Sequence, residues 1–181
     1  MKRNVTAFVV LGLMLVSLAA AAQEKSKVNG VRADIISHLA DIESKLVQLA
    51  EATPADKLSW RPAEGIRSTC EVFMHVAAGN YMISGMIGHP APKDLDLRGL
   101  EKSVTEKKKV IETLRASFAH AKAAVEKVND ADLAKPAKFF GQQTTIGGIA
   151  LNLAVHGSEH LGQSIAYARS TGVVPPWSRA E

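Results

Sequence analysis

Apolar residues recur at the 3.6-residue helical period in four separate stretches, with polar and charged residues on the faces between them. The first stretch, Lys27 to Ala50, carries Val31, Ile35, His38, Leu39, Ile42, Leu46 and Leu49 in its stripe and Asp34, Asp41, Glu43 and Lys45 outside it. The second, about Thr69 to Ile87, repeats the pattern through Val72, His75, Val76, Gly79, Met82, Ile83 and Met86. In the third, about Leu100 to Val128, the stripe is Ile111, Leu114, Phe118, Ala121, Val125 and Val128. The fourth, Thr145 to Ser170, begins with Ile146, Ile149, Ala150 and Leu153 and then runs onto His156, His160, Gln163, Ser164 and Tyr167. All seven prolines fall between or beyond these stretches, as they must if each is an unbroken helix. The pattern predicts an all-α protein, a four-helix bundle.

The connections are long. Fifteen residues, Thr53 to Arg67, separate the first two helices, and Asn129 to Thr144 separate the last two. An antiparallel hairpin of helices needs far fewer, so these segments are expected to cross the ends of the bundle. Trp60 would anchor the first of them. Ser68 and Glu71 have capping-box spacing for the second helix, Gly88 ends it, and Gly172 ends the fourth.

The candidate chemistry lies in the stripes. His156 and His160, four residues apart, stand about 6 Å from each other on one inward face, near enough to share a metal ion. His75 faces inward from the second helix. If the second and fourth helices run antiparallel, all three imidazoles share one level; parallel packing would separate them by about 10 Å. Single core histidines are ordinarily structural, but three that converge point to a divalent metal site. His38 lies at the edge of its stripe and reads as structural, and His89 and His120 read as surface residues. His156 to His160 also spells H-x-x-E-H, an inverted zinc-protease pattern. That reading lacks a downstream carboxylate ligand, since the only acid after His160 is the terminal Glu181. Ligating histidines need a partner for the second ring nitrogen. Glu71, one turn before His75, is one candidate, with the capping box as its rival role; Asn152, Gln163 and Tyr167 are others.

Composition narrows the classes. Hydrophobic residues at 46% and charged residues at 22% fit a soluble globular domain able to bury a core without disulfides. Residues 1–22 read as a secretory signal peptide: Lys2 and Arg3, an apolar run from Val5 to Leu18, and small residues ending at Ala22. The competing reading is an uncleaved anchor. Cleavage would leave a domain over residues 23–181 with no stable membrane span, exported to the periplasm or the extracellular space. Without Lys2 and Arg3, 20 of the 22 basic residues remain against 18 acidic ones, which is no nucleic-acid footprint. The Lys107-Lys108-Lys109 run reads as a solvated face. Cys70, the only cysteine, excludes an internal disulfide and leaves a homodimer open.

Trp60-Arg61-Pro62, Ser68, Glu71 and His75, followed by His156, His160, Gly162, Gln163, Tyr167, Arg169, Gly172 and Pro175-Pro176, make an ordered set that resembles the DinB superfamily of metal-binding four-helix bundles. The resemblance implies a bundle with long crossover connections and a divalent ion, such as nickel, zinc or iron, held by His75, His156 and His160. The family includes bacterial thiol transferases and thiol-dependent isomerases. The expected function is thus a metal-dependent hydrolase or transferase acting on an unidentified small molecule. The alternative is a non-enzymatic metal-binding or scaffold protein of the cell envelope.

Overall fold

The computed structural model describes residues 30–178. The expected signal peptide, residues 1–22, and the terminal Glu181 lie outside the described residues. Four long helices carry the fold: α1 Val31–Ala52, α2 Thr69–Met86, α4 Lys107–Lys127 and α5 Ile146–Ser170, with a four-residue α3, Leu100–Ser103, between the second and third. Among the described residues no helix is long and apolar enough to cross a membrane.

Helices α1 and α2 each pack along α4 and α5. The first two long helices, α1 and α2, therefore lie across the bundle from each other, as do α4 and α5, and the two long connections are the crossovers this arrangement requires. The core between them is aliphatic and aromatic, with Leu39, Leu46, Phe73, Met74, Leu114, Phe118, Ile149 and Leu153 essentially out of solvent.

Helix ends follow their sequence signals. Ser68 and Glu71 form the capping box: the Glu71 amide donates to Ser68 Oγ at 3.2 Å and the Ser68 amide donates to Glu71 Oε2 at 2.7 Å. Gly172, at φ +75, ends α5 in a Schellman arrangement in which the Val173 amide reaches the Ala168 carbonyl at 2.8 Å. Gly88, at φ +91, does the same for α2 through the amide of His89 and the carbonyl of Ser84.

Four expectations need correction. The third helix is not continuous from Leu100: the chain leaves helical geometry after Ser103, and Glu106 caps a fresh start by accepting from the amides of Lys108 and Lys109. The connection before α5 contains a small antiparallel hairpin, β1 Pro136–Phe139 and β2 Gln142–Thr145. Its two-residue loop, Phe140-Gly141, has positive φ at both positions, the hairpin turn that matches strand twist. Val31, Met82 and Met86, expected inside, are exposed. Finally, α2 is buried nearly all round rather than on one stripe, because α4, α5 and α3 all pack on it.

Candidate metal centre

Helix α2 supplies His75 and helix α5 supplies His156 and His160. Their direction follows from three contacts. His75 meets both histidines, Gly79 lies against His156, and Trp60, ahead of α2, packs edge-on against Tyr167 with ring centroids 5.2 Å apart. Advancing along α2 means retreating along α5, so the two are antiparallel neighbours and the three rings share one level. One nitrogen from each ring lies within 4.8 Å of the others.

The donor set fits a divalent ion. Bonds of about 2.0–2.1 Å meeting at a tetrahedral angle put neighbouring donors about 3.3 Å apart. His75 Nε2 and His156 Nε2 are 3.3 Å apart. Two of the three remaining nitrogens are engaged as metal-ligating histidines require. His75 Nδ1 lies 2.7 Å from Glu101 Oε1, and His160 Nδ1 lies 2.8 Å from Gln163 Oε1. Donation of each Nδ1–H to these oxygens leaves the Nε2 lone pair free to ligate. Gln163 is itself held by donating to the Tyr167 hydroxyl at 3.0 Å, and Glu101 by a two-pronged contact from Arg67 at 2.7 and 3.2 Å.

Burial keeps the His75 and His156 rings neutral. Burial pushes the His156 pKa down to about 4, helped by the neighbouring charges of His160, His75 and Arg67. Burial also lowers that of His75, against the opposing pull of its bond to Glu101. Burial alone would raise the Glu101 carboxyl, but hydrogen bonds from Arg67 and His75 outweigh it and hold the group below its ordinary range. A neutral imidazole beside an ionised acceptor is the state in which histidine binds a metal.

Glu101 is the residue that sequence reasoning missed. Glu71 was a candidate for this role, but its carboxylate belongs to the capping box and to Lys102 and Arg61. The Lys102 ammonium and the Ser68 amide, which together outweigh the burial that opposes them, hold its pKa at about 2. Asn152 turns back to the Gly148 carbonyl and does not serve the histidines, whereas Gln163 and Tyr167 do. His38 is exposed and apart from the site. His89 and His120, expected at the surface, are half-buried and stack on each other with centroids 4.3 Å apart. Glu159 is exposed, and the acid that reaches a histidine is Glu101. Cys70 is buried, its thiol donating to the Val104 carbonyl and pushed up to about 11 by burial and the charge of Glu71; it is a structural thiol.

Glu101→Ala should weaken divalent-metal affinity about 10- to 100-fold, because it removes the acceptor that orients His75. Calorimetric titration measures this, and an affinity within twofold of the wild type would show that Glu101 does not serve the site.

Fold and site together define a crossover four-helix bundle with a three-histidine cluster between antiparallel helices. The chain belongs to the DinB superfamily, whose family model matches residues 38–164. A DinB-like protein from Bacillus cereus superposes with a TM-score of 0.68 at 18% identity, over 78% of this chain and 93% of its own. A conserved protein from Enterococcus faecalis gives 0.65 at 16%, over 78% and 97%. YfiT from Bacillus subtilis gives 0.61 at 16%, over 84% and 94%, and is described as a probable metal-dependent hydrolase with an unusual four-helix bundle topology. Identities this low carry the fold alone. No curated protein matches the sequence.

Proposed function

We propose that this chain is a metal-dependent hydrolase or group transferase of small molecules, using a divalent ion held by His75, His156 and His160. The observation that carries the reading is the convergence of three imidazoles, two of them oriented through their second nitrogens by Glu101 and Gln163. A divalent ion bound there would act as a Lewis acid and lower the pKa of a bound water toward 7. The protein's own part is to fix the three donors and, by burial, to keep His75 and His156 unprotonated. The Arg67–Glu101 pair sets the tautomer of His75, and the Tyr167–Gln163 pair sets that of His160.

We further propose that the protein is exported after cleavage near Gln23, on the strength of the residues before it. Purified mature protein, loaded in turn with zinc, nickel and iron(II), should hydrolyse or transfer at least one member of a panel of esters, amides and activated thiol acceptors. Turnover should disappear on chelation and return on reloading. Turnover that survives both chelation and His160→Ala would exclude this site as its source, and metal binding with no turnover on any member would favour the non-enzymatic role.

A further inference from the structure

The three histidines are not held alike. His75 and His160 each have a hydrogen-bonding partner that sets the ring, but His156 Nδ1 is buried with no partner among the described residues. What His156 has instead is Gly79. A Cβ built on Gly79 would lie 2.8 Å from His156 Nδ1 and 3.1 Å from Nε2, with Cε1 nearer still, all inside ordinary contact distance. The imidazole rests against bare α2 backbone.

Nothing in the backbone asks for glycine here. Gly79 lies inside α2 and is not among the glycines with positive φ, and the interior of a helix disfavours glycine relative to alanine. The space it leaves is filled by the ring of a ligand. Position 79 is also one turn beyond His75, so the same helix face donates one ligand and makes room for another. Gly162 on α5 provides the contrast, since a Cβ there would meet nothing within 4 Å.

We propose that Gly79 is the positioning residue for His156, fixing by its lack of volume the ring that no hydrogen bond fixes. The inference rests on reading the histidines as a metal site. Gly79→Ala should displace the ring rather than open the fold, because the atoms a methyl group would strike are the end of a side chain that can turn away. Its metal-free melting temperature should be no lower than that of the wild type. Its cobalt(II) affinity should fall about 10- to 100-fold, the usual effect of losing a ligand's orientation, and the visible absorption of bound cobalt should change as one imidazole leaves.

Gly162→Ala should leave affinity and spectrum unaltered. In a His156→Ala background, Gly79→Ala should cause no further loss of affinity, because no ring remains to be displaced. If Gly79→Ala alone does not fold, the double variant should fold as well as His156→Ala. The proposal is overturned if Gly79→Ala binds cobalt within twofold of the wild type with the same spectrum. An equal loss in the His156→Ala background, or a double variant that also fails to fold, overturns it too. A wild-type protein that binds no cobalt removes the metal reading itself, and this inference with it.

Discussion

His156→Ala and His160→Ala should each abolish the thermal stabilisation that a divalent ion gives the wild-type protein. An ion that binds only the folded state stabilises it by RT ln(1 + [L]/Kd), about 2.7 kcal/mol at 100 Kd. For a domain of this size that raises the melting temperature by roughly 5 to 11 °C. With one imidazole gone the remaining two form a much weaker site, so the rise should vanish, whereas His120→Ala, in a different cluster with His89, should keep it. Scanning fluorimetry with and without metal reads this directly. A full shift in His156→Ala would exclude that ring as a ligand.

The same centre sets a pH dependence. With a folded pKa of about 4 against an unfolded value near 6.5, His156 takes up a proton more readily in the unfolded chain. Stability of the metal-free protein should therefore fall as pH drops from about 6.5 to about 4 and lose this slope below that. The metal-loaded protein should lose its ion as the imidazoles protonate, and with it the added stability.

The second large effect is in the core. Phe118 is fully buried among the side chains of the bundle interior, so Phe118→Ala removes a ring whose cavity a four-helix bundle cannot close over. It should cost about 3 to 5 kcal/mol by chemical denaturation, enough to leave many domains marginal at 37 °C. The metal-induced increment should persist wherever the variant still folds, because Phe118 is no part of the histidine cluster. A loss below about 1 kcal/mol would mean that the core near α4 is not packed as described.

The four long helices, the crossover connections, the capping box and the clustering of His75, His156 and His160 were legible in the chain, because they follow from period, cap chemistry and i, i+4 spacing. What escaped is non-local. The break between Ser103 and Lys107 carries no proline or glycine, so nothing in the pattern separates α3 from α4. That break is what puts Glu101 beside His75, 26 positions earlier in the chain. Met82 and Met86 satisfy the helical period, yet burial on α2 is set by how many neighbours crowd each face. The Phe140-Gly141 hairpin was hidden because a bulky aromatic at positive φ is an uncommon choice for such a turn.

The metal content of untagged protein, recovered from its native compartment without chelators, tests the central claim most directly. Elemental analysis should find close to one divalent transition-metal ion per chain in the wild type and almost none in His156→Ala prepared in parallel. A wild-type protein that is free of metal and does not take up added zinc, nickel or iron would contradict the account. So would an ion that remains at full occupancy after His156 is removed.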